Sequence, residues 1–167
     1  MMDKVSFREI VNFDIEKSVA FTGHRKVEYN FDYKKLELFL QDLITKGYQN
    51  FFVGMALGFD TICFRTLENL KKSYPHIKLI ACIPCKEQDK MFNFEQKQRY
   101  KNMLDNADYR VLISEKYTSY CMQERNEFMV DNSSLVIAYL QRNYGGTANT
   151  VNYANKTGKR VVNIVNR

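Results

Sequence analysis

Two short segments combine glycine with polar side chains, and each follows an apolar run that is typical of a β-strand. The first is Thr22-Gly23-His24-Arg25, after Ser18–Phe21, and the second is Tyr144-Gly145-Gly146-Thr147, after Ser134–Tyr139. A glycine turn between a strand and a helix leaves backbone N–H groups free to bind an anion. The two segments therefore predict a phosphate-binding crevice for a nucleotide-like ligand.

The side chains of these segments fit the same chemistry. Arg25 can bind phosphate in a bidentate manner, and His24 can hydrogen-bond a ribose or a base. In the second segment, paired glycines followed by Thr147 can form an anion-binding nest, to which Asn149 can add a hydrogen bond from the first helical turn. The alternatives are a tight surface turn with an incidental arginine and a flexible turn capped by threonine.

A third glycine segment, Gly54-Met55-Ala56-Leu57-Gly58-Phe59-Asp60, also follows an apolar run. It is not a P-loop, because no Gly-Lys-Ser/Thr follows. At the same edge of a sheet, its glycines would let the backbone approach a ligand. Asp60 would then either accept hydrogen bonds from sugar hydroxyls or serve only as a helix N-cap.

Glu124 and Arg125 are the closely spaced acid and base of a predicted helix over Cys121–Val130. Adjacent residues point about 100° apart on a helix, so the two side chains are not expected to pair with each other on one face. We predict that one of them faces the crevice. The alternative is an ordinary solvated surface.

The chain alternates apolar runs with longer amphipathic stretches, which predicts an α/β fold: a Rossmann-like, doubly wound, mainly parallel sheet with helices on both faces. We interpret residues 1–167 as one domain, with 1–16 as an N-terminal extension. Asp32 is a plausible N-cap for the first helix. The predicted strands are Ser18–Phe21, Asn50–Val53, Ile77–Cys82, Tyr109–Ile113, Leu135–Tyr139 and Arg160–Val165.

Composition narrows the function classes. The 25 basic and 19 acidic residues give a net charge of +6, which favours anionic ligands, but the charges are scattered. With only two histidines, no metal site of recognisable spacing can be assembled, and we expect neither a metal nor another cofactor. Cys82-Ile83-Pro84-Cys85 could be a redox pair, but a buried structural role is favoured because Cys82 is expected to end a strand.

The sequence also carries predictions about location and partners. No apolar run is long enough to cross a membrane and the N-terminus lacks a signal peptide, so we expect a cytoplasmic protein without membrane contact. We expect a nucleotide-derived small molecule as the partner and regard nucleic acid as unlikely.

Taken together, the motifs resemble those of the SLOG superfamily, which is named for Smf/DprA and LOG. Met122-Gln123-Glu124-Arg125-Asn126 and Gly145-Gly146-Thr147 are similar to the Met-His-Glu-Arg-Lys and Pro-Gly-Gly-x-Gly-Thr blocks of LOG phosphoribohydrolases. The front half, including Thr22–Arg25, Gly54–Asp60 and Ile83-Pro84, together with Phe128–Asn132, more closely resembles YpsA-like proteins. The resemblance covers about residues 17–165.

The resemblance implies a nucleotide-derived ligand at the glycine-rich crevice, with roles in sensing, stress or phage-defence conflict, and it implies homo-oligomers. In LOG enzymes the arginine of the Glu-Arg block and a glutamate just after the Gly-Thr act together in cleaving an N-glycosidic bond. Arg125 matches the first, but Ala148, Asn149 and Thr150 leave no carboxylate in the second position. A carboxylate normally stabilises the cation formed in such a cleavage.

This departure favours binding without turnover: we predict that the chain senses or sequesters a nucleotide or nucleotide-derived signal. The first alternative is LOG-like hydrolysis of a nucleotide N-glycosidic bond, with Arg125 and Glu124 as catalytic residues. The second alternative is DNA binding of the DprA kind. The predicted ligand-binding residues are Thr22, Gly23, His24, Arg25, Gly54, Gly58, Asp60, Arg125, Gly145, Gly146, Thr147 and Asn149.

Overall fold

The computed structural model describes residues 13–165 and contains one six-stranded sheet whose paired strands all run parallel. The predicted α/β, Rossmann-like doubly wound class is confirmed. The strands, in chain order, are β1 (Ser18–Gly23), β2 (Asn50–Val53), β3 (Lys78–Cys85), β4 (Tyr109–Ser114), β5 (Leu135–Tyr139) and β6 (Arg160–Asn163).

Five helices connect the strands, and a short 3-10 turn over Ile15–Lys17 precedes β1. The helix α1 begins where Asp32 accepts a hydrogen bond from the Lys35 N–H at 2.9 Å, as predicted for an N-cap. The helices are α1 (Tyr33–Thr45), α2 (Phe59–Lys71), α3 (Phe94–Asn106), α4 (Cys121–Asp131) and α5 (Gly146–Lys156).

The four inner strands β1, β2, β3 and β5 are almost wholly buried because both faces of the sheet are covered, as a parallel sheet requires. Successive residues alternate between two cores: Phe51 packs in the core with α1, α2 and α3, whereas Phe52 packs in the core with α4 and α5. Both rings are fully buried. The two cores hold the strand ends, and the loops that follow them, in fixed positions.

The strand order is β4-β3-β2-β1-β5-β6, so β1 has β2 on one side and β5 on the other. After β1 the chain adds β2, β3 and β4 on one side of that strand, and it then crosses to the other side to form β5 and β6. In doubly wound sheets, ligands bind outside the carboxyl ends of the strands at this switch point. Gly23 of β1 lies beside Tyr139 of β5, so the two strands end level with each other.

The strand containing the two cysteines is longer than predicted, because pairing with β4 continues beyond Cys82 to Cys85 opposite Ser114. Cys82 and Cys85 are three residues apart in a strand, so their side chains point to opposite faces. Both thiols are free and buried. This geometry supports the structural role for the pair, since α3 does not begin until Phe94.

Candidate ligand-binding site

His24 joins the two loops that flank the switch point. Its Nε2 accepts a hydrogen bond from the Gln141 N–H at 2.9 Å, and its backbone oxygen accepts one from the Phe59 N–H at 3.1 Å. Burial, followed by the nearby positive charge of Arg142, lowers the pKa of His24 below its ordinary value. His24 is therefore a neutral acceptor that holds the β5 loop against the β1 loop, and Arg142 lies close enough to influence it.

The glycines at Gly23 and Gly58 allow α2 to approach the β1 loop closely. A Cβ at Gly23 would lie 2.4 Å from the Phe59 ring, and one at Gly58 would lie 2.2 Å from the Arg25 carbonyl oxygen. Gly58 also has φ +82°, which favours glycine. Thr22 is buried beside them and Arg25 is exposed at the rim.

Arg125 reaches from α4 to the carboxyl end of β2 and to Cys82 within β3. Its guanidinium donates to the carbonyl oxygens of Gly54 and, at 3.5 Å, of Cys82, while Nε donates to Asn126 Oδ1 at 2.7 Å. A Cβ at Gly54 would lie 2.8 Å from Arg125 Nη1, so the contact needs glycine there. Burial lowers the pKa of Arg125, and the neighbouring Asp60 opposes that effect.

Asp60 stands in the first turn of α2, where Gly58 occupies the N-cap position. Its Oδ2 accepts a hydrogen bond from the Ala56 N–H at 3.2 Å, but Oδ1 is buried without a hydrogen-bond partner among the described residues. Burial raises the pKa of Asp60 to about 6, against the opposing charge of Arg125. The structure thus brings Gly54, Asp60 and Arg125 together in one buried polar cluster.

The N-terminus of α5 is open. Gly145 has φ +94° and no side chain caps the helix, so the N–H groups of Gly146, Thr147 and Ala148 have no acceptor within residues 13–165. The first turn has no acidic residue; Thr147 is buried and Asn149 is exposed. Unbonded N–H groups at the positive end of a helix are able to bind an anion.

Arg142 and Tyr144 lie at this end of α5; Tyr144 opens the second glycine segment, but neither residue was among the predicted ligand-binding residues. The Arg142 guanidinium lies 5.1 Å from the centre of the Tyr144 ring, and a Cβ at Gly145 would lie 3.7 Å from Arg142 Nη2. The Tyr144 ring is 67% exposed. The signal available in the sequence was an arginine three positions before the paired glycines and an aromatic residue directly before them.

The predicted acid and base of α4 differ in exposure to solvent. On α4, Glu124 is exposed while Arg125 is buried, so the two side chains indeed face different surroundings. A cavity of about 510 Å³ lies nearby, between α1 and the ends of β5 and β6, and none of the predicted site residues lines it. Within the described part of the chain, no three metal-binding side chains come together.

The fold and the site define a class: a doubly wound α/β domain with glycine turns at its topological switch point. The family model described as the YspA SLOG family (YpsA) matches residues 19–164. The chain therefore belongs to the YpsA family of SLOG proteins, and the resemblance noted from its motifs is confirmed. The LOG-like details of those motifs remain predictions.

Two proteins of known sequence are similar to this chain. The chain is 38% identical over 136 residues to the SPbeta prophage-derived protein YoqJ of Bacillus subtilis (strain 168), covering 74% of this chain and 80% of YoqJ. It is 27% identical over 115 residues to a UPF0398 protein of Lysinibacillus sphaericus, covering 67% of this chain and 64% of that protein.

Two DNA processing proteins A (DprA) share the fold, each with a TM-score of 0.63. The Streptococcus pneumoniae protein is 19% identical and matches 89% of this chain, and the Helicobacter pylori protein is 20% identical and matches 86%. This chain spans 52% and 63% of those two proteins, respectively. The latter structure concerns a single-stranded DNA binding mode of that protein.

This finding corrects one expectation. We regarded nucleic acid as an unlikely partner because the basic residues are scattered along the sequence, and that inference was wrong. Folding gathers residues that are distant in sequence, and the same fold occurs in a protein described by its mode of binding single-stranded DNA. Separately, no helix within residues 13–165 has the length and apolar character needed to span a membrane.

Proposed function

We propose that the chain binds a phosphate-bearing nucleotide at the N-terminus of α5, as a sensing or sequestering protein. The observation that carries this proposal is the row of unbonded N–H groups at Gly146, Thr147 and Ala148, with the Arg142 guanidinium beside the preceding N-cap residue Gly145. Backbone donors at a helix N-terminus and a nearby guanidinium are a recurrent combination for binding phosphate.

The other groups at this edge supply the remaining contacts of a nucleotide. The exposed Tyr144 ring offers a face on which a base can stack, and Arg142 already lies against that ring. Asn149 lies exposed in the first turn of α5, and Arg25 lies exposed on the β1 loop beyond His24. Phosphate would bind at the helix, with the base and sugar extending over the loops.

Binding without turnover is the form of the proposal that the site supports. No carboxylate follows Thr147, and the Arg125 guanidinium already donates to the Gly54 and Cys82 carbonyl oxygens. A nucleotide N-glycosidic bond at this crevice would meet no carboxylate in the place that LOG enzymes use. The proposed outcome is a stable complex.

The test is calorimetric titration with AMP, ADP, ADP-ribose and cyclic nucleotides, using Gly146→Asp and its control Gly146→Ala. Nothing lies within 4 Å of a Cβ at Gly146, so both variants fit, and a carboxylate at a helix start does not destabilise the helix. We expect Gly146→Asp to weaken nucleotide binding at least about tenfold, since it sets like charges together, and Gly146→Ala to preserve it. Undiminished binding by Gly146→Asp, or none by the folded wild type, overturns the proposal.

Single-stranded nucleic acid is a second candidate, supported by the distribution of exposed aromatic residues. Of seven exposed aromatic side chains among the described residues, six lie in or directly after the loops at the carboxyl edge of the sheet. Aromatic faces beside basic groups bind single strands by stacking, in a manner tolerant of sequence. The six are Tyr29, Tyr33, Phe94, Tyr117, Tyr120 and Tyr144.

This candidate is tested by fluorescence anisotropy with a labelled oligothymidylate. Replacing both Tyr117 and Tyr120 by leucine should weaken binding by about tenfold or more, because each stacked base contributes ~1–3 kcal/mol. Tyr109→Leu, at the start of β4 on the opposite edge, is the matched control. The affinity should also fall with salt. If the double variant binds the oligonucleotide like the wild type, the aromatic edge is not a single-strand path.

A further inference from the structure

A cavity of about 510 Å³ opens between α1 and the carboxyl ends of β5 and β6, outside the groups used in the proposed nucleotide site. Its volume lies within the roughly 300–1,000 Å³ of small-molecule pockets. Its walls are mainly apolar and aromatic. The apolar lining consists of Phe31, Leu36, Phe39, Tyr139, Ile164 and Val165.

The aromatic walls are held in place before any ligand binds. The Tyr139 ring stacks on Phe59, with centroids 5.6 Å apart and an interplanar angle of 19°. Phe31 meets Tyr139 edge to face at 5.6 Å, and the Tyr139 hydroxyl accepts a hydrogen bond from the Glu28 N–H at 3.3 Å. A ligand would enter a formed cavity rather than open the core, which reduces the cost of binding.

Two carboxylates are fixed at the mouth of this cavity. Glu28 Oε1 accepts a hydrogen bond from Gln141 Nε2 at 2.7 Å, and Asp32 Oδ1 accepts the Lys35 N–H at 2.9 Å. Neither Glu28 Oε2 nor Asp32 Oδ2 has a hydrogen-bond donor among residues 13–165. Lys35 is the one cationic residue in the lining, so the charged residues there carry a net charge of −1.

We propose that this cavity binds a small aromatic or apolar molecule that carries an amino group. The apolar part would pack against Phe31, Phe39 and Tyr139, while the ammonium group would lie at the mouth and donate to the free oxygens of Glu28 and Asp32. An ammonium beside aromatic rings gains a further cation–π attraction. This preference for a cation is opposite to that of the α5 N-terminus, so the two sites take different ligands.

The experiment is an NMR titration of the ¹⁵N-labelled full chain with phenethylamine, and with 3-phenylpropanoate as an apolar probe of opposite charge. Phenethylamine should shift resonances of the α1 N-terminal turn and of β5, and bind at least about fivefold more tightly than the carboxylate probe. In the Glu28→Gln, Asp32→Asn double variant we expect that preference to disappear. Both replacements keep the oxygen that accepts the existing hydrogen bond, and asparagine is as good an N-cap as aspartate.

The control is Glu37→Gln, which removes an α1 carboxylate paired with Lys34 outside the cavity and should leave phenethylamine binding unchanged. Equal binding of the two probes, no shifts near the cavity, or an unchanged preference in the double variant overturns the proposal. Gly146→Asp should not alter phenethylamine binding. A failure of the nucleotide proposal would therefore be distinguishable from a failure of this one.

Discussion

The burial of the Asp60 carboxyl allows a quantitative prediction of how the unfolding free energy depends on pH. Burial raises its pKa from an ordinary 3.8 to about 6, so the folded protein binds the proton more tightly than the unfolded chain. The stabilisation is fully present below pH 3.8 and is lost as the pH rises through about 6. The pKa difference corresponds to about 3 kcal/mol, of which about 2 kcal/mol falls between about pH 4 and pH 8.

The perturbation is Asp60→Asn, which removes the titration while keeping an oxygen to accept the Ala56 N–H. The amide also places an N–H₂ where Oδ1 has no partner, which adds a cost of about 1–3 kcal/mol that does not depend on pH. The informative quantity is therefore how the difference in unfolding free energy between variant and wild type changes with pH. Relative to the wild type, Asp60→Asn should gain about 2 kcal/mol of unfolding free energy from about pH 4 to pH 8.

The assay is urea denaturation at several pH values, with Asp105→Asn as the control because Asp105 is an exposed carboxyl on α3. His24 titrates in both proteins, so its contribution cancels in the difference. If the free-energy difference between Asp60→Asn and wild type were the same at pH 4 and pH 8, Asp60 would titrate normally. Burial would then not raise the pKa of this carboxyl.

Three further predictions concern the packing and charge of the site. Gly58→Ala should cost about 3 kcal/mol or more in thermal unfolding, because its Cβ meets the Arg25 carbonyl oxygen at 2.2 Å; a loss below about 1 kcal/mol would contradict that contact. Arg142→Gln should raise the pKa of His24, measured by NMR, since the charge of Arg142 helps to lower it. An unchanged pKa would show that the charge of Arg142 does not act on His24. Arg125→Lys should destabilise the fold, because one ammonium cannot reproduce the guanidinium contacts to Gly54, Cys82 and Asn126; equal urea midpoints would count against this.

Most of the fold was predictable from the sequence because burial leaves a local pattern. Strands β2 and β5 have the predicted bounds, since all their residues are buried and the apolar run itself defines the strand. The end of β3 was not predictable from the apolar run, because it depends on pairing with β4 beyond Pro84. The end of β6 moved inward from Val165 to Asn163, whose side chain bonds the Leu140 backbone N–H and oxygen.

The sequence predicted glycine turns at one edge of the sheet. It did not predict which side chain packs against each glycine. Gly54 lies against Arg125, which comes from a helix far along the chain, and Gly23 lies against Phe59. Only the folded sheet brings these residues together. Arg142 was not predicted for a related reason. A single arginine in a loop leaves no periodic pattern in the sequence, and only the folded structure places it near Gly145 at the start of α5.

The helices α2 and α5 both begin after a glycine N-cap at this edge of the sheet, but their N-termini differ in how well they can bind an anion. At α2, Asp60 already places a carboxyl in the first turn and accepts the Ala56 N–H, so the positive end of that helix is occupied from within the chain. At α5 the first turn has no acidic residue, and Arg142 adds positive charge from the preceding loop. An incoming phosphate would be repelled by an ionised Asp60 at α2 and attracted at α5. The proposed phosphate site therefore belongs at α5, whereas the start of α2 is packed against the β1 and β2 loops.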